Sequence, residues 1–244
     1  MNVNELMKTL QLLWSLENHE ALATEAAQKN WSHVEYLKRL LEGEVCRRHD
    51  NRVVRRIKQS HFPVLKTLDQ FNWSWPKKIN RAKVQNLFRL AFLDDHTNII
   101  FIGGVGLGKS HLATALGYEA CQKGLSVLFT TAVDIINTLT AAQITQRLKT
   151  ELKRYTAPNL LIMDELGYLP IDKQGADLLF QVISQRYEHG SMVITTNKAF
   201  KSWPSIFNND SVLTSAVLDR LLHHADTVLI EGPSYRMKEK QSDL

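Results

Sequence analysis

Eight consecutive residues, Gly103-Gly104-Val105-Gly106-Leu107-Gly108-Lys109-Ser110, satisfy the pattern G-x-x-x-x-G-K-[ST]. Glycines in such a loop let the backbone curl until successive N–H groups point at phosphate oxygens, and the helix that follows adds its positive dipole. In that chemistry Lys109 reaches the β- and γ-phosphates as a point charge, and the Ser110 hydroxyl is a ligand for Mg²⁺. With His111 beside it, the segment is the candidate ATP-binding element. Asp164 and Glu165 follow the apolar run Leu160-Leu161-Ile162-Met163. Open α/β sheets place their ligand crevice at the carboxyl ends of such strands. Asp164 is therefore the candidate to hold Mg²⁺ through water, and Glu165 to orient and deprotonate the attacking water. Asn197, in Ile194-Thr195-Thr196-Asn197, is a candidate sensor of the γ-phosphate, although Asn is also an ordinary turn residue. Loose phosphoryl transition states gain from fixed positive charge, and an arginine supplied by a neighbouring subunit contributes on the order of 10³–10⁵ in rate. Arg220 is the candidate for that role, with pairing to Asp219 as the alternative, and Arg236 is a candidate second sensor.

The elements that must position these residues are legible in the hydropathy pattern. Short apolar runs at Ile99–Ile102, Val127–Phe129, Leu160–Met163, Met192–Thr195 and Val228–Ile230 are separated by helical periods. Buried strands alternating with helices predict an α/β fold with a parallel sheet covered on both faces. The phosphate-loop pattern follows the first run and opens a helix predicted from Lys109 through Cys121. Gly124 and Gly190 stand where helix C′ glycines belong, just before strands. A helix is also predicted from about Arg81 to Leu93, with Val84, Leu87, Phe88 and Ala91 on one side. The cluster Phe71, Trp73, Trp75, Pro76 reads as a linker packed on the larger domain.

Residues 1–60 read as helical. Leu6, Leu10, Leu13 and Trp14 recur on one face of a 3.6-residue period. Ser32 and Glu35 have capping-box spacing, with Trp31 and Tyr36 placed as a hydrophobic staple, and an apolar face continues through Leu37, Leu40, Leu41 and Val45. The 244-residue length fits one full domain plus a small appendage at about 150 residues per domain. Residues 1–95 carry 16 Lys and Arg against 11 Asp and Glu, whereas the remainder is neutral. Between Lys38 and Lys58 eight basic residues face three acids, a stripe expected of a protein that tracks phosphate backbones. No run approaches the roughly 18 apolar residues of a membrane span. Without a continuous apolar stretch near the N-terminus, a cytoplasmic location is expected. Cys46 and Cys121 have no partner at zinc or disulfide spacing. Adjacent His223 and His224 point about 100° apart if both are helical, which favours a surface or subunit-contact role over a metal site.

With these elements in order, the chain resembles the AAA+ ATPases, and within them the clade of bacterial helicase loaders and IstB-type transposition helper proteins. The resemblance covers roughly residues 60–240. It is most specific in Asp164-Glu165-Leu166-Gly167-Tyr168-Leu169-Pro170, in the tract Leu178 to Tyr187, and in Leu218-Asp219-Arg220-Leu221-Leu222-His223-His224. These tracts look more like IstB than like the loaders. The resemblance implies a five-stranded parallel sheet ordered 5-1-4-3-2 with helices on both faces. It implies a helical N-terminal domain (1–60) that engages a partner and DNA, and an ATPase domain (61–244). It also implies an Asn197 sensor, an Arg220 finger acting in trans, and ATP-dependent self-assembly into a homo-oligomer or helical filament. The ATPase would deliver target DNA to a transposase. DNA affinity is expected from Lys and Arg contacts to duplex phosphates, with little base readout. A replicative helicase loader has the same chemistry with another partner. A small-molecule kinase would leave Asn197 and Arg220 without a task.

Overall fold

A computed structural model describes residues 1–235 and Met237. The chain divides into two compact units, residues 1–55 and 56–244. The first holds α1 (Val3–Thr9), α2 (Leu13–Gln28) and most of α3 (His33–Gln59). Asn2 starts α1 with a reciprocal capping box, accepting from the Glu5 N–H (2.8 Å) while the Glu5 carboxylate accepts from its own N–H (3.0 Å). The single helix expected through Leu6 and Trp14 is broken at residues 10–12, where Gln11 is left-handed (φ 55°), so Leu6, Leu10 and Leu13 stay exposed.

Packing of α2 on α3 also departs from the expected stripe. Leu40 is buried, but Leu37, Leu41 and Val45 are exposed. The contact runs instead through Leu40, Gly43 and Glu44. A Cβ on Gly43 would lie 2.2 Å from the Trp14 ring, so only glycine admits that indole. Glu44 caps α2 by accepting from the N–H groups of Trp14 (2.9 Å) and Ser15 (3.2 Å). Burial pushes the Glu44 carboxyl up, but those two N–H groups and Arg48 outweigh it and hold it below the usual carboxylate range. Ser32 accepts from the Glu35 N–H (3.1 Å), whereas the Glu35 carboxylate is taken by Arg39 (2.8 Å), so only half of that capping box forms. Trp31 lies under the Arg39 guanidinium, 4.0 Å from it, and Tyr36 donates its hydroxyl to the His19 carbonyl (3.1 Å).

The second unit is an α/β layer fold. Residues 56–60 belong to it: the Ser60 carbonyl accepts from the Phe129 N–H (2.8 Å), and its hydroxyl meets the buried Cys121 thiol (3.2 Å). The helix expected over 81–93 stops early. Asn80 caps α4 (Arg81–Leu87), then Leu90 turns left-handed (φ 63°), which carries Phe92 into the core and leaves Ala91 exposed. Five parallel strands follow, β1 (Asn98–Gly103), β2 (Val127–Thr131), β3 (Leu160–Leu166), β4 (Ser191–Thr196) and β5 (Ala225–Ile230), in the order β2-β3-β4-β1-β5. This is the expected 5-1-4-3-2 sheet.

Alternation along the strands builds two cores. Leu160 and Ile162 of β3 join Ile99, Phe101 and Val193 under α4 and α5 (Lys109–Gln122). Leu161 and Met163 join Met192 and Ile194 on the other face, covered by α6 (Ala132–Ile144), α7 (Leu148–Thr156), α8 (Lys173–Arg186) and α9 (Ser211–Leu222). Gly124 closes α5 as a C′ residue at φ +87°, with the Leu125 N–H returning to the Ala120 carbonyl (2.9 Å). Gly190 does not play that part. Glu188 takes the left-handed turn (φ 61°), and Gly190 leaves room for Arg186, whose Nη2 would lie 2.7 Å from an added Cβ.

Candidate nucleotide site

The phosphate loop leaves the C-terminal end of β1 and runs into α5. Gly106 (φ +74°) and Gly108 (φ +84°) occupy left-handed backbone, and both are hemmed in. An added Cβ would meet Ser234 Oγ at 2.2 Å in the first case and the Phe71 ring at 2.6 Å in the second. Lys109 donates to the Gly104 carbonyl (2.7 Å), and its ammonium lies 6.0 Å from the Tyr168 ring centre. Ser110 donates to Asp164 Oδ1 (2.9 Å), so the loop on β1 and the acid on β3 touch although β4 lies between their strands. A hydroxyl and a carboxylate meeting in this way are the hard oxygen donors that suit Mg²⁺.

At the end of β3 the ladder is irregular. Met163 pairs with Ile194 and Leu166 with Thr196, so Asp164 and Glu165 together oppose the single residue Thr195. The result is a β-bulge, which re-aims side chains at the edge of a site. Asp164 is buried, while Glu165 takes a left-handed backbone (φ 62°) and faces the cavity. Asn197 follows β4, and its buried Oδ1 has no hydrogen-bond partner among the described residues.

Lys109, Ser110 and Glu165 line a cavity of about 520 Å³, within the range of small-molecule sites, whereas Gly104, Asp164 and Asn197 do not line it. The loop from Val105 to His111 forms one wall, and Glu165, Tyr168 and Tyr235 contribute to the rim. Phe71, Trp75 and Pro76, from the segment expected to be a linker packed on the larger domain, also line it. Trp75 donates its indole N–H to the Pro233 carbonyl (2.9 Å) and packs edge-on against Tyr235 (5.4 Å between ring centres). Phe71 packs edge-on against Trp73 (4.9 Å) and His111 (5.5 Å). An aromatic and proline cluster just ahead of the loop-bearing strand was the available signal. His111 Nε2 lies 2.8 Å from the Thr67 carbonyl, which can only accept, so this nitrogen carries the proton. Burial holds the His111 pKa down, which keeps the ring neutral as it fastens this segment to α5.

Not every candidate residue joins the cavity. Gly103 sits against β5, with an added Cβ 2.3 Å from the Ile230 carbonyl oxygen. Arg220, on α9, does not line the cavity; it donates to the Ala216 carbonyl (3.0 Å), lies over Phe180 (4.7 Å), and makes no ion pair among the described residues. Arg236 lies outside the described residues. His223 closes α9 and His224 follows it. Their ligand atoms and that of Glu188 lie within 4.8 Å of one another, all three residues being exposed, and the His223 ring also meets the Tyr187 hydroxyl (2.9 Å). The 100° separation therefore does not hold at this helix end, and a carboxylate does stand nearby.

A sheet in this order, with a phosphate-binding loop on β1 and paired acids at the end of β3, places the second unit among the P-loop ATPases of the AAA+ type. Comparison with known proteins goes further. The model of the IstB-like ATP binding protein family matches residues 5–243, and the chain belongs to that family. It is 39% identical to the insertion sequence IS5376 ATP-binding protein of Geobacillus stearothermophilus, over 98% of this chain and 95% of that protein. It is 41% identical to the insertion sequence IS21 ATP-binding protein of Pseudomonas aeruginosa, over 91% and 83%. The crystal structure of the DnaC helicase loader shares the fold, with a TM-score of 0.56 at 22% identity, over 68% of this chain and 96% of that one. Among the described residues no helix is long and apolar enough to cross a membrane.

Proposed function

We propose that this protein is an ATP-hydrolysing helper of insertion-sequence transposition that assembles on duplex DNA with ATP and delivers target DNA to a partner transposase. The observation that carries the ATPase reading is the junction of Ser110 with Asp164 at the edge of the cavity, with Glu165 beside it. Insertion-sequence relatives at about 40% identity over most of the chain favour transposition over helicase loading, where the likeness is one of fold.

In this reading the loop N–H groups and Lys109 hold the triphosphate, Lys109 exchanging the Gly104 carbonyl for phosphate oxygens. Ser110 and Asp164 hold Mg²⁺, which supplies positive charge to the phosphate oxygens. Glu165 accepts the proton of the attacking water, and the Asn197 amide orients that water beside the γ-phosphate. Phe71, Trp75 and Pro76 enclose the base. Arg220 acts on the site of a neighbouring protomer, in a head-to-tail contact that builds a ring or, if it does not close, a filament. DNA phosphates are met by basic residues of α3. On that helix Lys38, Arg39, Arg47 and Arg48 already face acids, whereas Arg52, Arg55 and Lys58 are exposed and make no ion pair among the described residues.

The test compares the wild type with Glu165→Gln. The variant should bind ATP normally in calorimetry, lose hydrolysis by about 10²–10⁴-fold, and remain assembled on duplex DNA. Normal hydrolysis by this variant refutes the assignment. Co-purification with a hexameric helicase rather than a transposase selects the loader reading.

A further inference from the structure

Thr195 is a fully buried polar residue next to the C-terminal end of β4, one strand away from each of the elements that carry the phosphate loop and the acids. Its hydroxyl accepts the Glu165 N–H (3.0 Å) and donates to Asp164 Oδ1, the same oxygen that accepts from Ser110. A threonine hydroxyl has one proton to give and lone pairs to receive. Here the two capacities are divided between the two acids. The chain of bonds runs from the Glu165 backbone through Thr195 to Asp164, which Ser110 joins to the loop.

The bulge explains why such a group is needed. Where two residues oppose one, a backbone N–H loses its ladder partner. At this position that N–H belongs to Glu165, which also sits in left-handed backbone (φ 62°), a region in which a non-glycine residue is uncommon. A part-buried N–H that loses its partner forfeits a hydrogen bond and is disfavoured. Thr195 removes that penalty only while Glu165 keeps this turn. The hydroxyl thereby selects the backbone conformation that aims the Glu165 carboxylate into the cavity.

We infer that Thr195 is a positioning residue for ATP hydrolysis: its side-chain hydroxyl holds Glu165 in the bulged turn and ties it to Asp164. This rests on the reading of Glu165 as the group that activates water. Thr195 itself does not line the cavity, so it acts on turnover rather than on nucleotide binding. Asn197 follows two residues later, just past the end of β4, so the candidate sensor is carried by the same strand whose Thr195 holds the acids of β3.

The experiment uses the full chain with Thr195→Val, which keeps the shape and removes the hydroxyl, Thr195→Ala, and Thr195→Ser, which keeps the hydroxyl. Thr195→Val should lower kcat by about 10- to 100-fold, the scale expected when a catalytic group is displaced by about 1 Å. ATP affinity in calorimetry should stay within about threefold, because the loop makes the grip. Thr195→Ser should restore kcat to within about threefold of wild type. Without nucleotide, hydrogen exchange at the Glu165 amide should speed up by 10-fold or more in the Val and Ala variants and not in the Ser variant. Adding Thr195→Val to Glu165→Gln should cost nothing further, since the two act as one unit.

Wild-type kcat and exchange in Thr195→Val, with Glu165→Gln inactive, overturns the role of Thr195 alone. Full activity of Glu165→Gln overturns the reading of the site instead. Equal losses of ATP binding and turnover in both Val and Ala variants make Thr195 a merely structural residue and also overturn the inference.

Discussion

Replacing Arg186 with methionine should destabilise the second unit far more than an average substitution. Arg186 is 1% exposed and makes no ion pair among the described residues. Its guanidinium donates instead to the carbonyls of Tyr155 (2.9 Å), Thr156 (3.4 Å), Pro158 (3.0 Å), Asn159 (3.2 Å) and Ser191 (2.7 Å), while burial pulls its pKa down to about 10. Methionine fills much of the space but removes the donor from five carbonyls, and each buried orphan costs about 1–3 kcal/mol. Relief of the buried charge and entry of water offset part of this, so a net loss of about 3–5 kcal/mol is expected, the scale of breaking a buried charged network. For a unit of this size that lowers Tm by roughly 6–20 °C. The clamp joins the end of α7 to the starts of β3 and β4, the strands that carry Asp164 and lead into Asn197. ATP turnover should therefore fall at temperatures where the variant is still folded. Arg186→Lys, with one compact ammonium, should recover only part of the loss. Scanning calorimetry of the full chain decides the matter. A methionine variant melting within 2 °C of wild type, by the same conversion at most about 0.5–1 kcal/mol, refutes the idea that these bonds hold the strand ends together.

Glu44 gives a pH-dependent signature in the first unit. Its folded pKa lies below its unfolded value, near 4.3, so its stabilisation is complete above that value and disappears as pH falls through the folded one. In thermal melts followed by circular dichroism, Glu44→Gln should melt below wild type at pH 6, and the gap should close toward pH 3; a gap independent of pH contradicts the capping role. Arg220→Ala should leave ATP binding intact and lower hydrolysis by about 10³-fold or more, and mixing it with an inactive Glu165→Gln partner should restore turnover; absence of complementation refutes action in trans. For DNA, replacing Arg52, Arg55 and Lys58 together by alanine should reduce the salt slope of log K by about 2–3, at roughly 0.9 per phosphate contact. An unchanged slope there, with a reduced one after replacing Lys149, Lys153 and Arg154, moves the contacts to α7.

The strands and the phosphate loop were legible because they are written in contiguous residues. Ile99–Ile102 and Leu160–Met163 are buried on both faces and hydrophobic throughout, and the loop's glycines are dictated by local geometry. Pattern reading failed where a single residue reverses the chain. Gln11 and Leu90, both left-handed without being glycine, ended helices whose periodicity ran on past them. It failed again where a contact depends on what is absent: Gly43 draws Trp14 onto α3 and shifts the buried stripe away from Leu37 and Val45. Phe71, Trp75 and Pro76 were visible as a cluster, but their place beside the cavity depends on a return of the chain some 160 residues later, where Pro233 and Tyr235 meet Trp75. Thr195 carried no signal at all, because an apolar strand tolerates threonine and only the bulge on β3 gives its hydroxyl a task.

The placement of charge in the second unit bears on how hydrolysis is controlled. Among the described residues, Lys109 and Lys66 are the only Lys or Arg side chains lining the cavity, and Lys109 donates to the Gly104 carbonyl of the loop. A transition state that spreads negative charge over the γ-phosphoryl oxygens calls for a cation aimed at that group. Among the described residues the candidate arginine, Arg220, is held on α9 by the Ala216 carbonyl and the Phe180 ring and does not line its own cavity. A side chain fixed in that way is preorganised for a surface that approaches from outside. In the proposed assembly an isolated protomer would bind ATP without spending it, and hydrolysis would begin when a second protomer docks. On that reading assembly, rather than nucleotide binding, would be the event that starts hydrolysis.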